Sequence, residues 1–169
     1  ADEELKGYVL PKIPLTWYFE GVTYFDKQKF EEALICFEKA FKGFEELELT
    51  SNAVSALKQV AAVNYHTYHI EEAIRKYEQA LLMSQTLNDS IAQMDIAQEL
   101  YRLSGIVGDM EGIAKYTNLI DSLIANTTDK QVQFEHYCQK GAETQNQGKY
   151  NLAEQWYLKS KSIAENQEK

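Results

Sequence analysis

Proline is scarce in this chain of 169 residues, occurring only at Pro11 and Pro14. More than 150 consecutive residues after Pro14 therefore contain no proline to interrupt a helix. Hydrophobic residues make up 44% of the sequence, which is enough for a core. The composition favours an ordered, all-helical chain.

Cysteine is equally rare, with Cys36 and Cys138 more than a hundred residues apart. They form no closely spaced pair of the kind that binds zinc, and a disulfide framework is not expected. The low cysteine content leans towards a reducing compartment. We therefore favour a cytoplasmic location, with a periplasmic or extracytoplasmic sensor domain as the alternative.

Positive charge and long apolar runs are also lacking. The formal net charge is −9, and the basic residues are not gathered in one segment, so direct binding to nucleic acid is not expected. Apolar runs are only a few residues long, far below the ~20 needed to span a bilayer, so we expect no membrane insertion of this segment. Because the sequence begins with Ala1 and not methionine, a processed protein or a fragment of a longer one is expected.

A repeat is present instead, with an interval of 40 residues. Three sets of positions recur at this interval. The set that anchors the alignment is mainly small: Ala33, Ala73, Ile113 and Ala153. A second set is mainly aromatic (Phe37, Tyr77, Thr117 and Tyr157), and a third is mainly small (Gly21, Ala61, Tyr101 and Gly141). Antiparallel helices approach closely where small residues lie at the crossing and an aromatic ring fills the space beside them. Tyr101 and Ile113 break the pattern, so we expect looser packing in the third repeat.

The segment from Trp17 to Ala40 carries the clearest motif, with Trp17, Gly21 and Tyr24 before a polar turn and Ala33, Phe37 and Ala40 after it. It resembles the tetratricopeptide repeat, a helix-turn-helix unit. Glu20 departs from the family's leucine, and no proline closes the repeat. The 40-residue interval is similar to the long repeats of bacterial signalling regulators and adaptor proteins.

This resemblance implies an all-α fold, a right-handed α-α superhelix of four helix-turn-helix repeats. We expect an N-terminal segment at 1–13 and a single tetratricopeptide-like domain at 14–169, with repeats at about 14–50, 51–89, 90–127 and 128–169. The hydrophobic periodicity and turn residues predict eight helices, at about 14–27, 30–48, 51–67, 70–87, 90–107, 109–125, 128–147 and 150–166.

Residues that could carry chemistry are few. His66 and His69 flank a turn without a third ligand at a suitable spacing, so no metal site is predicted. His136 and Cys138 are two residues apart on a predicted helix and point to different faces, which argues against a nucleophile and base. We predict no catalytic residues, no cofactor and no enzymatic activity.

A binding surface remains. In the tetratricopeptide architecture the first helices of successive repeats line a concave groove, and the resemblance places the following residues on it: Tyr18, Val22, Phe25, Asp26, Lys58, Gln59, Ala62, Tyr65, Gln98, Arg102 and Gln139. Aromatic side chains would anchor a peptide, amides would bind its backbone, and Lys58 and Arg102 would attract its carboxylates. The alternative is that the tyrosines and Phe25 belong partly to the core and that the basic residues pair with neighbouring acids such as Glu99.

The leading hypothesis is a scaffold that binds a protein or peptide partner. The alternative is a sensor or regulatory domain of a larger bacterial signalling protein, such as a transcription regulator or histidine kinase. The sequence does not identify the partner or the oligomeric state.

Overall fold

The computed structural model describes residues 12–165, which form eight α-helices and no strand. The helices are α1 (Lys12–Asp26), α2 (Phe30–Glu46), α3 (Thr50–His66), α4 (Ile70–Thr86), α5 (Ser90–Val107), α6 (Met110–Asn126), α7 (Lys130–Asn146) and α8 (Tyr150–Glu165). Neighbours in sequence pack together, among them α1 with α2, α2 with α3, α3 with α4, α4 with α5, and α7 with α8. The predicted all-α, tetratricopeptide-like fold is confirmed.

The helix bounds agree with the predicted ones to within two residues. From Phe30 onward a new helix begins every 20 residues, so helix pairs recur every 40. Helix α1 begins at Lys12 and not at Pro14. A proline is tolerated in the first helical turn, because the amide hydrogen that it lacks would have no acceptor within the helix. The predicted N-terminal segment 1–13, apart from its last two residues, and the predicted helix end at 166 lie outside the described residues.

The turns between helices repeat one backbone geometry. A residue with positive φ occurs at Gln28, Glu48, Tyr68, Asn88, Gly108 and Gly148. The next residue donates its amide to a carbonyl five positions earlier, as Lys29 does to Tyr24 (2.9 Å) and Lys149 to Thr144 (2.9 Å). This is the Schellman ending of an α-helix. Four of these six left-handed positions hold a residue other than glycine.

Two helix starts differ in how they are capped. Helix α3 begins at Thr50, and Leu49 precedes it without a side-chain cap. Helix α7 is capped by Asp129, whose carboxylate accepts from the amides of Gln131 and Val132. Aspartate suits this position because its oxygen reaches two amides that lack helical partners.

The core between α2 and α3 forms two clusters of buried side chains. Phe37 and Ala33 of α2 pack with Val60 and Val63 of α3. Two turns further along, Ala40 and Phe44 pack with Ala53 and Ala56. Small and large residues alternate across the interface, which lets the helices approach closely while the rings fill the remaining space. Trp17 of α1 and Phe41 of α2 border the second cluster.

Close helix crossings lie where the repeat predicts them in the first and last pairs. A Cβ atom added to Gly21 would lie 2.7 Å from the ring of Phe37, and one added to Gly141 would lie 2.6 Å from the ring of Tyr157. Each glycine therefore accepts an aromatic ring against the helix backbone. Tyr101 at the matching position of the third repeat is 47% exposed, so its side chain is not buried at such a crossing.

The chain forms two compact units, with the division between Thr117 and Asn118, inside α6. In the second unit, Gln133 is buried and donates its side-chain amide to the carbonyls of Ile124, Ala125 and Thr127 at 3.0–3.1 Å. These bonds satisfy carbonyls at the end of α6 that have no helical donor. Gln133 thus holds the turn before α7.

Candidate functional site

Helices α3 and α5 bring several of the predicted binding residues together. Lys58, Gln59 and Ala62 of α3 and Gln98 of α5 line one recess of about 280 Å³. Tyr77 of α4 and Asp95 and Glu99 of α5 complete its lining. We call these seven residues the α3–α5 recess.

An ion pair crosses this recess. The Lys58 Nζ lies 2.9 Å from an Asp95 carboxylate oxygen, with the Lys58 side chain 26% exposed and the Asp95 side chain 59% exposed. Asp95, which follows Lys58 by 37 residues, was not among the predicted site residues. The same spacing separates Glu78 from Lys115, which also pair, at 3.1 Å. Two residues that are 37 positions apart, nearly one helical turn less than the 40-residue interval, are thus neighbours in both cases. A search of the sequence for opposite charges at this spacing would have found Asp95.

Arg102 and Tyr65 form a second contact between α3 and α5. The Arg102 guanidinium lies 4.2 Å from the centre of the Tyr65 ring. It also donates two hydrogen bonds to one carboxylate oxygen of Glu99, from Nε at 3.0 Å and from a terminal nitrogen at 2.6 Å. Partial burial by itself lowers the pKa of Arg102, but the bonds and charge of Glu99 together with the neighbouring Tyr65 outweigh it and raise the pKa. The pairing with Glu99 is the alternative that the sequence left open for this residue.

Tyr77 contributes a buried wall to the recess. Its side chain is 5% exposed, and burial together with the nearby Glu99 carboxylate raises its pKa to about 12. The phenol therefore stays neutral at physiological pH. Sequence reasoning placed Tyr77 in the aromatic repeat position and did not recognise it as part of a site.

The predicted residues of α1 are in a different environment. Tyr18, Val22 and Phe25 are half-buried and pack against the Phe37 and Val60 cluster. The Tyr18 ring meets Phe37 edge-on at 5.7 Å, and the Phe25 ring meets His66 at 5.1 Å. These three side chains are partly core, as the alternative interpretation allowed for Tyr18 and Phe25. Asp26, at the end of α1, is exposed.

The remaining predicted residue, Gln139, lies on α7 in the second unit. It is exposed and donates a hydrogen bond to Glu143, one turn further along, at 2.9 Å. Its place in a common surface with the α3–α5 recess stays a prediction.

The histidines have protein partners. His66 stacks on Phe30 with ring centres 5.5 Å apart, and His69 shares a hydrogen bond with Thr67 at 3.0 Å. His136 lies 3.0 Å from Asp121, which also pairs with Lys140. Across residues 12–165, no group of three His, Cys, Asp or Glu side chains could hold a metal ion.

Within the described part of the chain, no helix is both long and apolar enough to cross a bilayer.

Comparison with known proteins agrees with this geometry. Residues 15–42 match the family model of the tetratricopeptide repeat. The match spans one helix pair, so the 40-residue interval rests on the helix bounds and the sequence alone. No curated protein sequence matches the chain.

Among solved structures, the chain is similar to the crystal structure of BtubC (BKLC) from P. vanneervenii. The TM-score is 0.67 at 17% sequence identity, over 94% of this chain. The chain spans 66% of that protein's length, slightly under two thirds. At this identity the similarity shows the fold. The chain thus matches the tetratricopeptide repeat over residues 15–42 and has a tetratricopeptide-like all-α fold, of which non-enzymatic protein-interaction scaffolds are typical.

Proposed function

We propose that this chain is a protein-interaction scaffold that binds a peptide or a partner helix at the α3–α5 recess. The observation that carries the proposal is the meeting of Lys58 and Gln59 with Gln98 and Glu99 in one recess, from helices of adjacent repeats. Repeats of this fold generally mediate protein interactions, and they use surfaces that successive repeats build together.

The amides supply the contacts to a peptide backbone. Gln59 and Gln98 each carry both a donor and an acceptor, so either can bind a backbone carbonyl or amide. The recess, at about 280 Å³, has room for a side chain of the partner. A short segment with a polar side chain directed into the recess fits this chemistry.

The sequence led us to expect that Lys58 and Arg102 would attract carboxylates of the partner, but both side chains already pair with acids of this chain. Lys58 is paired with Asp95, and Arg102 with Glu99. A carboxylate of the partner would have to replace one of these acids, which reduces its gain in free energy. The flat Arg102 guanidinium on Tyr65 instead offers a partly apolar platform, a combination of residue types that is enriched at binding hot spots.

In this proposal the half-buried Tyr18, Val22 and Phe25 hold α1 against the core and do not anchor the partner. The alternative function, a sensor or regulatory domain of a larger signalling protein, stays a prediction.

Capture of partners from the native cell extract, with mass spectrometry, tests the proposal when three forms of the chain are compared. Arg102→Glu should lose the partner that the wild type retains, because the platform on Tyr65 is removed and a second acid is placed beside Glu99. Arg75→Glu is the matched control, since Arg75 also pairs with a glutamate three residues earlier, Glu72. Glu72 does not line the recess, whereas Glu99, the partner of Arg102, does.

Titration calorimetry with the purified partner then gives the affinity. We expect Arg102→Glu to weaken binding about tenfold or more, or ~1.4 kcal/mol, and Arg75→Glu to leave it unchanged. Equal affinity of all three forms would place the binding surface elsewhere. The double variant E99R/R102E adds a further distinction, since it keeps an ion pair but moves the guanidinium away from its position over Tyr65. Restored binding in this variant would assign the effect to charge balance and not to the platform.

A further inference from the structure

One buried side chain of the α3–α5 recess carries a polar group that the chain itself leaves unpaired. Tyr77 is 5% exposed and lines the recess, yet its hydroxyl forms no hydrogen bond with the described residues. Another buried tyrosine, Tyr116, donates from its hydroxyl to Glu78 at 2.6 Å. Because buried polar groups are normally hydrogen-bonded, the Tyr77 hydroxyl indicates a place for a ligand atom.

The Tyr77 hydroxyl is a hydrogen-bond donor that a ligand can reach from the recess. Burial and the nearby Glu99 carboxylate raise the pKa of Tyr77 to about 12, so the hydroxyl keeps its proton near neutral pH. The oxygen is not fully enclosed by the surrounding side chains, although it has no partner among them. A carbonyl oxygen of a bound ligand would therefore satisfy this donor.

The two acids of the recess each keep one carboxylate oxygen available as an acceptor. Lys58 donates to Oδ2 of Asp95 at 2.9 Å, and both hydrogen bonds from Arg102 go to Oε2 of Glu99. Oδ1 of Asp95 and Oε1 of Glu99 accept nothing from the described residues. Because Asp95 and Glu99 are four residues apart, they lie on one face of α5. A ligand group with two N–H hydrogens can donate to both acids.

The charges around the recess are balanced, because Lys58 pairs with Asp95 and Arg102 pairs with Glu99. A partner carboxylate in the recess would lie close to both acids, and a partner ammonium would lie close to both bases. Either ion would also lose hydration without gaining an unpaired opposite charge. An apolar group would leave the Tyr77 hydroxyl unpaired. The lining therefore favours a neutral group that both accepts and donates hydrogen bonds.

We infer that the α3–α5 recess binds a primary carboxamide, the side chain of an asparagine or a glutamine in the partner. Its carbonyl oxygen accepts from the Tyr77 hydroxyl, and its NH2 group donates to the available oxygens of Asp95 and Glu99. This inference rests on the proposed function and names the polar side chain that enters the recess. A site that hydrogen-bonds both ends of an amide rejects side chains of the same shape that lack one end.

Selection from a random peptide display library against the immobilised chain tests the inference. Peptides that bind the wild type but not Arg102→Glu depend on the recess region, and we expect them to share an asparagine or a glutamine. In a synthetic peptide of this group, the shared asparagine is then replaced by aspartate and by leucine, which have nearly the same shape. A shared glutamine is replaced by glutamate and by methionine. Titration calorimetry should show that both replacements weaken binding at least about tenfold.

The variant Tyr77→Phe removes only the hydroxyl from the recess. Because this hydroxyl has no partner among the described residues, the melting temperature should stay unchanged. Affinity for the carboxamide peptide should fall about tenfold, whereas affinity for the leucine or methionine peptide should hardly change. Tyr101→Phe is the matched control, since Tyr101 is 47% exposed on α5 and does not line the recess. It should leave the affinity for every peptide unchanged.

Three results would overturn the inference. Recess-dependent peptides that share an acidic, basic or apolar residue would show that the recess takes another side chain, while the proposed function would stand. Equal loss of affinity for all peptides in Tyr77→Phe would show that the hydroxyl does not recognise the carboxamide. A library that yields no recess-dependent peptide would contradict both the inference and the proposed function.

Discussion

The first helix pair, α1 and α2, and the last, α7 and α8, share one local design and differ in burial. In each, a glycine lies beneath an aromatic ring 16 residues later, Gly21 beneath Phe37 and Gly141 beneath Tyr157. Phe37 is fully buried, whereas Tyr157 is 38% exposed.

Within the described residues, Phe37 is covered by a third helix and Tyr157 is not. Phe37 is covered by Val60 and Val63 of α3. Tyr157 instead donates a hydrogen bond to Gln145 at 3.0 Å, at the rim of an exposed recess. The contact between glycine and ring thus forms within a single helix pair, while the apolar burial that stabilises it depends on the next helix. Stability should therefore differ sharply between two pairs of nearly the same backbone geometry.

Truncation of the two rings should give the largest contrast. Phe37→Ala removes a fully buried side chain and leaves a cavity between α2 and α3, so we expect a loss of roughly 3–5 kcal/mol in the free energy of unfolding. Tyr157→Ala removes a ring that is partly in water already and should cost about 1 kcal/mol. Urea denaturation measures the first, and amide hydrogen exchange in α7 and α8 measures the second locally. Similar losses at the two sites would mean that Tyr157 is buried by a contact outside the described residues.

A methyl group added beneath each ring should give the next largest difference in stability between the two pairs. Gly21→Ala places a methyl group 2.7 Å from a ring that cannot move, and the overpacking cost of roughly 1–3 kcal/mol should exceed the ~1 kcal/mol gained in helix propensity. In Gly141→Ala the Tyr157 ring can swing towards solvent, so the propensity gain should prevail. The melting temperature of each variant is the measurement, and a stabilising Gly21→Ala would contradict the close crossing.

Substitutions in the turns should give the smallest difference in stability, and they should stabilise the first pair and destabilise the last. Gln28 has a φ of 59° in the first pair, and Gly148 has a φ of 75° in the last. A side chain in this left-handed region is unfavourable, so Gly148→Ala should cost about 1 kcal/mol, while Gln28→Gly should be stabilising by up to about 1 kcal/mol. Lys27→Gly is the control for the added chain flexibility, because Lys27 precedes the left-handed position and should gain nothing. Thermal unfolding of the three variants checks the order.

Much of this local design was predictable from the sequence. The eight helices were located to within two residues by their hydrophobic periodicity and turn residues. Single residues at helix ends were not resolved: Asp129 caps α7, but several neighbouring polar residues were equally able to do so.

The candidate site was predictable only in part. Lys58, Gln59, Ala62 and Gln98 do line one recess. Their partners were not foreseen, because the pairing of Lys58 with Asp95 depends on how far α5 is displaced along α3, a distance that helix periodicity within one repeat does not give.

The sequence by itself determined the described helix bounds to within two residues and which residues of a pair lie against each other, since hydrogen bonding, turn conformation and the 3.6-residue period act over short distances along the chain. Only the tertiary structure decided that Phe25 is partly core, that Arg102 lies on Tyr65, and that Phe37 is buried while Tyr157 is not. The physical reason is that burial and ion pairing depend on a second helix that approaches from elsewhere in the chain, and the same amphipathic stripe can be covered or left exposed.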